Sequence, residues 1–560
     1  MRNPVAVDKI WLDSYPAGIP QTVETPRWRS VRDVFEQAFA AWPERPAYRN
    51  LGTTLSYGEL DRLSAAFAAF LRKELGLVKG ERIALMLPNV LQYPVALCGA
   101  FRAGLVVVNV NPLYTARELK HQLTDSGARC IVIMENFAHV LEQVIGATAV
   151  EHVVTTGMGD LLAKPKGWIV DFVVRHVKKM VPRWSLPGSI RFRSALARGR
   201  ALSLEPVDLG YADLAFLQYT GGTTGPAKGA MLSHRNIVFN LEQSEVWKQD
   251  VFDGVERIVV ITALPLYHIF SLQSNCLGMA AKGGESVLIT NPRDFPAFVK
   301  ELAKVRFHYF TGVNTLFAAL LDSQGFADLD FSSLRLTIGG GMAVQEAVAR
   351  KWKRVTGNSI VQAYGLTETS PGAIVNPLHT EEFTGSIGLP LPSTEVRICD
   401  DEGRDLPLGQ SGEICIRGPQ VMEGYWKAPE ETEKVMLPGG WLRTGDVGHM
   451  DERGYVYIDD RKKDMILVSG FNVYPNEIEG VVAELPGVRE VAAVGIPDAH
   501  SGEVVKLFVV RSDPSLTEEA ILEHCRRNLT GYKIPRAIEF RDALPKTNVG
   551  KILRRALRET

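Results

Sequence analysis

The strongest constraint on the fold is a regular alternation between helical and strand-like segments, which begins near residue 50. Ser56 and Glu59 form a capping box, and apolar residues follow them at helical spacing. The runs 82–87 and 105–110 predict strands, and the segment 95–102 between them predicts a helix. Strands that alternate with helices in this way predict an α/β fold with doubly wound, mainly parallel sheets.

The pattern changes after about residue 385. Short alternating runs separated by Gly, Pro and Asp turns predict a distorted, antiparallel β-barrel subdomain over about 385–459. The segment 459–464 is too charged to be buried, and about a hundred residues with a small α+β pattern follow it. We therefore predict a large N-terminal domain over 1–459, a hinge at 460–464 and a small mobile C-terminal domain over 465–560.

Composition excludes several classes of protein. The chain has 560 residues, too many for one hydrophobic core, and its formal net charge of -1 gives no electrostatic reason to expect nucleic acid as a partner. Six scattered cysteines without metal-ligand spacing, and an N-terminus without a secretory apolar region, predict a reduced, cytoplasmic protein. Two uncharged stretches, 83–101 and 258–281, are broken by Pro and polar residues, so we expect buried elements there and not membrane spans.

The segment 160–212 interrupts the alternation and predicts an insertion or connector. Residues 164–200 carry ten Lys or Arg against one acid, Asp171. Within that stretch, apolar residues at near-helical spacing lie beside basic ones: Trp168, Ile169, Phe172, Val173, Val177 and Met180. Two interpretations stay open, a helix lying in an anionic membrane surface and a helix packed on the core with a solvated basic face.

A glycine-rich segment follows a predicted strand at 214–219 and precedes a helix-like run at 231–241. Backbone N–H groups of such a loop can surround a polyphosphate, and a lysine adds positive charge. It is not a Walker loop, because Ala227 precedes the lysine and Gly229 follows it. The alternative is a flexible surface turn. The candidate phosphate-binding residues are Thr220, Gly221, Gly222, Thr223, Thr224, Gly225 and Lys228.

This loop resembles the phosphate-loop signature of the adenylate-forming superfamily, which includes acyl-CoA synthetases, luciferases and peptide-synthetase adenylation domains. The resemblance continues in the family's order over nearly the whole chain, through 364–368, 443–446, 460–464, 469–479 and 545–551. The segments 264–270 and 465–475 are most similar to bacterial long-chain fatty acyl-CoA synthetases. Many members have Pro where this chain has Ala227, a departure that affects loop rigidity more than chemistry.

The resemblance implies a reaction and its cosubstrates. ATP, with Mg²⁺, and a fatty acid would give acyl-AMP and pyrophosphate, and coenzyme A would then give acyl-CoA and AMP. A medium-chain or aromatic acid substrate stays open, as does an inactive nucleotide-binding protein of the membrane surface. A homodimer also stays open.

The resemblance also implies roles for individual residues. Lys551 would bridge the fatty carboxylate and the α-phosphate, although the sequence alone would make it a solvated cation of a basic tail. Glu368, with Thr223, would bind Mg²⁺, although a cap or a surface ion pair is the alternative for Glu368. His268 would lie near the acyl carbonyl or would simply be a core histidine. The expected nucleotide contacts are Gly339, Gly340, Gly341, Tyr364, Gly365, Thr367, Asp446 and Arg461, with a core aromatic and a tight turn as the alternatives for Tyr364 and the glycines.

Two half-reactions in one pocket require a rearrangement. Lys463 matches the hinge position of the family, where the backbone absorbs the rotation of the C-terminal domain. After that rotation Ser469, Gly470 and Phe471 would replace Lys551 and line the path of the CoA thiol.

Overall fold

The structure is a computed structural model, and it describes residues 9–220, 227–469, 471–498, 501–547 and 550–558. Five predicted site residues of the phosphate loop, and Gly470, therefore lie outside the described residues: Gly221, Gly222, Thr223, Thr224 and Gly225.

The strands are distributed along the whole chain. In chain order they are β1 (Pro46–Asn50), β2 (Thr53–Ser56), β3 (Arg82–Met86), β4 (Val106–Asn109), β5 (Cys130–Met134), β6 (His152–Thr156), β7 (Ile190–Arg191), β8 (Leu214–Thr220), β9 (Lys228–Ser233), β10 (Val259–Thr262), β11 (Glu285–Leu288), β12 (Tyr309–Gly312), β13 (Leu336–Gly340), β14 (Ile360–Gly365), β15 (Gly372–Val375), β16 (Leu389–Pro390), β17 (Glu395–Cys399), β18 (Gly412–Arg417), β19 (Met436–Leu437), β20 (Trp441–Met450), β21 (Val456–Arg461), β22 (Ile466–Val468), β23 (Phe471–Val473), β24 (Val488–Asp498), β25 (Gly502–Arg511) and β26 (Ala537–Phe540).

The helices cover the sheets between these strands. They are α1 (Val31–Ala41), α2 (Tyr57–Ala69), α3 (Gln92–Arg102), α4 (Ala116–Ser126), α5 (Ala138–Glu142), α6 (Lys166–Phe172), α7 (Phe192–Gly199), α8 (His234–Trp247), α9 (Ile269–Ser271), α10 (Gly278–Lys282), α11 (Phe295–Leu302), α12 (Asn314–Leu321), α13 (Glu346–Thr356), α14 (Pro429–Val435), α15 (Pro475–Ala483), α16 (Glu518–Asn528) and α17 (Arg554–Arg558). Short π-helical segments continue α2, α6 and α9 at Phe70–Glu74, Val173–Val177 and Leu272–Leu277.

In the part of the chain that the structure describes, the strands form four sheets of nine, seven, five and five. The seven-stranded sheet has the order β7-β6-β5-β3-β4-β8-β9, and the nine-stranded sheet has the order β16-β15-β14-β13-β12-β10-β11-β1-β2. Most neighbours in both sheets are parallel, and the central strands are almost wholly buried, as expected when helices cover both faces. The predicted α/β class is confirmed.

Two sequence predictions about local structure agree closely with the observed fold. The side chains of Ser56 and Glu59 form the capping box that begins α2, and those of Thr115 and Glu118 begin α4 in the same way. The predicted barrel-like region contains the antiparallel strands β17 to β21.

The prediction that a helix directly follows the phosphate loop over 231–241 is wrong in its first part. Residues Lys228–Ser233 form β9, which pairs antiparallel with β8 in the register Gln218↔Ala230. Ala230 and Leu232 alternate into the core, and Ser233 then accepts a hydrogen bond from the backbone N–H of Asn236 to begin α8. The loop therefore connects two strands of a hairpin.

The expectation that 459–464 is too charged for burial is wrong for Asp460, which is fully buried. Its carboxylate lies 3.5 Å from the Arg554 guanidinium and accepts hydrogen bonds from the backbone N–H groups of Arg461 and Asn476. A buried carboxylate is tolerated where such donors surround it.

Residues after this segment pack around their own hydrophobic cluster, which includes Ile478, Val491 and Leu507. The limits of the predicted domains stay a prediction.

Candidate active site

A cavity of about 1510 Å³ lies where the two large sheets, the antiparallel sheet and the C-terminal residues meet. Most predicted site residues line it together. They are Thr220, Lys228, His268, Gly339, Gly340, Gly341, Tyr364, Gly365, Thr367, Glu368, Asp446, Arg461, Lys463 and Lys551. Ser469 and Phe471 do not line this cavity.

Hydrogen bonds of Thr547 and Gly550 hold Lys551 where its side chain lines the cavity. The hydroxyl of Thr315 on α12 donates to the carbonyl of Gly550 at 2.8 Å, and the Lys551 N–H donates to the Thr547 hydroxyl at 3.0 Å. Gly341 has φ +78°, and a Cβ there would lie 3.3 Å from the Lys551 Cε. The glycine therefore gives the lysine room to pass.

The electrostatic surroundings of Lys551 oppose its charge. Burial and the nearby Arg461 lower the pKa of Lys551 to about 8, although Asp446 and Glu368 act in the opposite direction. An ammonium group held where its charge is unfavourable gains most when an anion arrives. The position of Lys551 therefore suits an anionic ligand.

Asp446 and Arg461 face each other across the β20–β21 pair. Arg461 Nε lies 3.0 Å from Asp446 Oδ1, and the Tyr364 hydroxyl donates to Asp446 Oδ2 at 2.6 Å. Burial and the adjacent carboxylate raise the pKa of Tyr364 well above its usual value, so the phenol remains a donor. Both carboxylate oxygens predicted to accept ribose hydroxyls thus have protein partners in this structure.

Tyr425 connects the predicted metal ligand to the phosphate-loop lysine. Its hydroxyl donates to Glu368 Oε1 at 2.7 Å, and Lys228 Nζ lies 5.2 Å from the centroid of its ring. Lys228 also forms an ion pair with Glu431. Sequence reasoning missed Tyr425, because no spacing rule marks it; a bridge from its backbone to Ala230 on β9 brings it to the site.

The donor set fits a nucleotide with a magnesium ion. Among the described ranges of the chain, no group of three His, Cys, Asp or Glu side chains could hold a metal by itself. Mg²⁺ commonly takes one or two protein carboxylates together with substrate phosphates, and Glu368 supplies a carboxylate beside Lys228 and Lys551.

His268 is half-buried at the start of α9, where its Nδ1 accepts a long hydrogen bond of 3.4 Å from the Phe270 N–H. Burial and the Lys551 charge lower the pKa of His268 to about 3, so the ring is neutral at pH 7. The half-buried side chain is hydrogen-bonded at the helix start and forms part of the cavity wall.

One face of α8 forms a further wall of the cavity, and sequence reasoning did not predict this role. The cavity-lining residues recur at helical spacing: Asn240, Leu241, Ser244, Trp247 and Lys248, the last directly after the helix. The Asn240 side chain exchanges hydrogen bonds with the backbone of Gly372, four residues after Glu368. We call this part of the cavity the α8 lobe.

Ser469 and Phe471 lie on the β22–β23 hairpin. The Ser469 N–H donates to the Ser501 carbonyl at 2.7 Å, and Phe471 is 55% exposed and stacks on Tyr532 with a ring-centroid distance of 4.7 Å. The structure therefore has Lys551 in the cavity and this hairpin outside it.

Comparison with known proteins assigns the chain to a family. Residues 35–426 match the model of the AMP-binding enzyme family, and residues 477–551 match the AMP-binding enzyme C-terminal domain. The chain therefore belongs to the AMP-binding enzyme family. It is 57% identical over 551 residues to the long-chain-fatty-acid–CoA ligase of Escherichia coli O6:H1, with 98% of each chain covered.

Solved structures agree with this assignment. An anthranilate CoA ligase in complex with anthranoyl-AMP has a TM-score of 0.84 and 26% identity, with 96% of this chain and 98% of the other covered. MatB from Rhodopseudomonas palustris with ATP bound has a TM-score of 0.80 and 31% identity, with 94% of this chain and 98% of the other covered. The fold thus occurs in relatives crystallised with ATP or with an acyl-adenylate.

Proposed function

We propose that this enzyme is a long-chain fatty acid–CoA ligase that forms AMP. ATP and a fatty acid give acyl-AMP and pyrophosphate, and the CoA thiol then displaces AMP to give acyl-CoA. The observation that carries the proposal is the meeting of Lys551, Glu368 and the α8 lobe in one cavity. This reaction requires a cation beside the reacting anions, a carboxylate that can bind the metal ion, and an elongated apolar wall for the acyl chain. Lys551, Glu368 and the α8 lobe would supply them in that order.

The first step sets one anion against another, because the fatty carboxylate attacks the α-phosphate. Lys551 reaches this point with a charge that its surroundings disfavour, so it can bind both oxygens and align the attack. Glu368 would hold Mg²⁺, which draws charge from the phosphate oxygens when bound. Lys228 would exchange Glu431 for the triphosphate.

Nucleotide recognition would rest on the buried Tyr364 and Asp446 and on the partly exposed Arg461. Ribose hydroxyls would take over acceptor positions on Asp446, and Arg461 would turn one of its remaining N–H groups to ribose or phosphate. The neutral ring of His268 lies beside Lys551 without adding a second positive charge there.

The thioester step needs the position that Lys551 occupies. We propose that the C-terminal residues rotate about Lys463 and bring Ser469, Gly470 and Phe471 to the cavity. The exposed Phe471 ring supports this proposal, because an apolar side chain at a hairpin tip is available for a new contact.

A chain-length series is the decisive experiment for the substrate. AMP release with CoA is measured for saturated acids of increasing length and for benzoate. We expect kcat/KM to rise with chain length, because each buried methylene contributes about 0.8 kcal/mol. A maximum at a short acid or at benzoate would favour the medium-chain or aromatic alternative. Failure to form acyl-AMP from any acid would favour the inactive nucleotide-binding alternative.

We also propose contact with a membrane surface through α6 and the turn after it. Trp168, Ile169, Phe172, Val177 and Met180 are all more than half exposed. These side chains are therefore not packed on the core, as one sequence interpretation required. No helix in the described residues is both long and apolar enough to cross a bilayer.

Basic residues beside this apolar face would meet anionic lipid. Lys178 and Lys179 are exposed and can meet lipid headgroups. Arg175 is instead paired with the buried carboxylate of Glu135, so its charge stabilises the fold. The expected location is therefore the cytoplasm, at the inner face of a membrane.

Co-sedimentation with vesicles of phosphatidylglycerol and phosphatidylcholine tests this proposal. We expect binding that weakens with salt, that falls in a double variant K178E/K179E and that falls further with Phe172→Ser. Equal binding by wild type and variants would contradict it. The possible homodimer remains a separate prediction, which sedimentation velocity would test.

A further inference from the structure

One face of α4 contacts the chain near both ends of the predicted phosphate loop. His121 and Asp125 are four residues apart, so both lie on this face. His121 Nε2 lies 2.8 Å from the carbonyl oxygen of Ala227, and the Tyr219 hydroxyl donates to Asp125 Oδ2. A carbonyl oxygen only accepts, so Nε2 carries the proton of this hydrogen bond. The helix therefore contacts the chain just before the loop and again near its end.

These contacts lie at the base of the hairpin that the loop connects. Tyr219 pairs with Gly229 across β8 and β9, and Thr220 pairs with Lys228. A Cβ at Gly229 would lie 3.1 Å from the Tyr219 ring, so the ring packs closely on the opposite strand. Thr220 and Lys228 both line the cavity. A displacement of Tyr219 would therefore move Thr220 and Lys228 as well.

The His121 contact continues the support of β9 toward the loop. The Gly229 carbonyl oxygen accepts a hydrogen bond from the Trp426 N–H at 2.8 Å, and the Ala227 carbonyl, two residues earlier, accepts one from His121 instead. Ala227 itself does not line the cavity. A carbonyl oxygen that turned toward the phosphates would repel them, so this hydrogen bond also keeps the negative end of a peptide dipole out of the site.

The helix α4 is fixed independently of these two side chains. Its first turn has a capping box, and Leu119 and Leu123 are fully buried. At its last turn the Asp125 carbonyl oxygen accepts hydrogen bonds from Trp426 Nε1 at 3.1 Å and from Lys427 Nζ at 2.8 Å. Replacing either loop-facing side chain should therefore leave the helix and its packing in place.

We propose that His121 and Asp125 are positioning residues for adenylation, which fix the two ends of the phosphate loop so that Lys228 meets the triphosphate of ATP. The inference rests on the proposed function, because it concerns the binding of ATP in that site. Neither His121 nor Asp125 lines the cavity, so both would act through the loop and not on the substrate directly.

Amide substitutions at His121 separate the hydrogen bond from the volume of the ring. The amide nitrogen of Gln reaches the place of Nε2, whereas the shorter Asn places its amide nitrogen near that of Nδ1 and does not reach Ala227. Leu removes the polar group altogether. We expect His121→Gln to keep most of the wild-type behaviour, and His121→Asn and His121→Leu to lose it.

Acid-dependent ATP–pyrophosphate exchange gives kcat and the KM values for ATP and for the fatty acid. We expect the KM for ATP to rise roughly 2- to 10-fold in His121→Asn and His121→Leu, as for the loss of one hydrogen bond, while the KM for the acid stays unchanged. A merely structural role would lower the folded fraction and hence kcat, without changing the KM for ATP. Acyl-CoA formation from supplied acyl-AMP should stay near the wild-type rate, because that step needs no triphosphate.

Variants of Asp125 test the other end of the loop. Asp125→Ala should also raise the KM for ATP, and Asp125→Asn should raise it less, because the amide oxygen can still accept from Tyr219. Lys120→Leu is the matched control, since Lys120 is an exposed residue of the same helix and lies outside the cavity. The control should leave the KM for ATP unaltered.

Three results would overturn the inference while the wild-type enzyme still exchanges pyrophosphate. These are an unchanged KM for ATP in both His121→Asn and His121→Leu, a loss in His121→Gln equal to that in His121→Leu, or an equal rise in Lys120→Leu. If the Leu variant does not fold, the comparison of Gln with Asn gives the same test. Absence of exchange in the wild type with every acid would instead overturn the proposed function, and this inference with it.

Discussion

Replacing Lys551 with Met tests the electrostatic argument directly, because Met keeps most of the side-chain length and removes the charge. Burial and Arg461 lower the pKa of Lys551 from 10.5 to about 8. That change corresponds to about 3 kcal/mol of unfavourable surroundings for the ammonium group. Anions of the reacting groups would relieve this energy, so we expect the variant to lose roughly 10² to 10³ in the rate of adenylation.

The assay separates the two half-reactions. Acid-dependent ATP–pyrophosphate exchange measures adenylation, and acyl-CoA formation from supplied acyl-AMP measures thioester formation. Lys551→Met should lose the first and keep most of the second. Lys546→Met is the matched control, because Lys546 also lines the cavity but is paired with Glu490. The control should retain exchange near the wild-type rate.

The pH dependence gives an independent check. Since the group must be protonated to act, kcat/KM for adenylation should fall as pH rises through about 8, and Lys551→Arg should remove this alkaline limb. Flat wild-type activity up to about pH 9.5, or exchange in Lys551→Met above a tenth of wild type, would refute the reasoning.

Three other predictions concern the hinge, the metal and the fold. Lys463→Pro should preserve exchange but abolish acyl-CoA formation, because a fixed φ resists rotation; equal loss of both would contradict the hinge. Glu368→Gln should raise the Mg²⁺ concentration for half-maximal exchange about tenfold, whereas Glu346→Gln, on the cavity rim, should not; an unchanged Mg²⁺ requirement would exclude Glu368 as ligand. Arg554→Met should cost about 3–5 kcal/mol in the free energy of unfolding at pH 7. The cost should be smaller at pH 5, because the pKa of Asp460 is already raised to about 6 by burial and the buried group can then be protonated; equal urea midpoints at pH 7 would contradict this.

Local chemistry made parts of the fold predictable from sequence. Ser56 with Glu59 begins α2 because the signal lies within four residues. Strands β17 and β18 lie where the sequence predicts an antiparallel, barrel-like region, because turn residues enclose short alternating runs there. The strand β9 was missed, since six residues between a glycine-rich loop and a helix offer too little periodicity, and the pairing partner that fixes it is β8.

Parts of the site depend on contacts between residues far apart in sequence. The donors that allow Asp460 to be buried include Arg554, which lies 94 residues later in the sequence. No sequence pattern near residue 460 predicts this partner. Tyr425 reaches Glu368 across 57 residues of sequence. The resemblance to a family predicts the reactive positions, because the motifs specify their spacing. The shape of the α8 lobe depends on packing that motifs do not encode.

The contacts at the end of β21 connect the predicted nucleotide site with the predicted hinge. Asp460, three residues before Lys463, is held by Arg554 on α17, which belongs to the chain beyond the hinge. Its neighbour Arg461 points the other way, to Asp446 in the predicted nucleotide site. A rotation about Lys463 must therefore separate Asp460 from Arg554 while Arg461 stays in place. Because an unpaired buried carboxylate is costly, the pair should favour the adenylation arrangement until other groups solvate or replace Arg554.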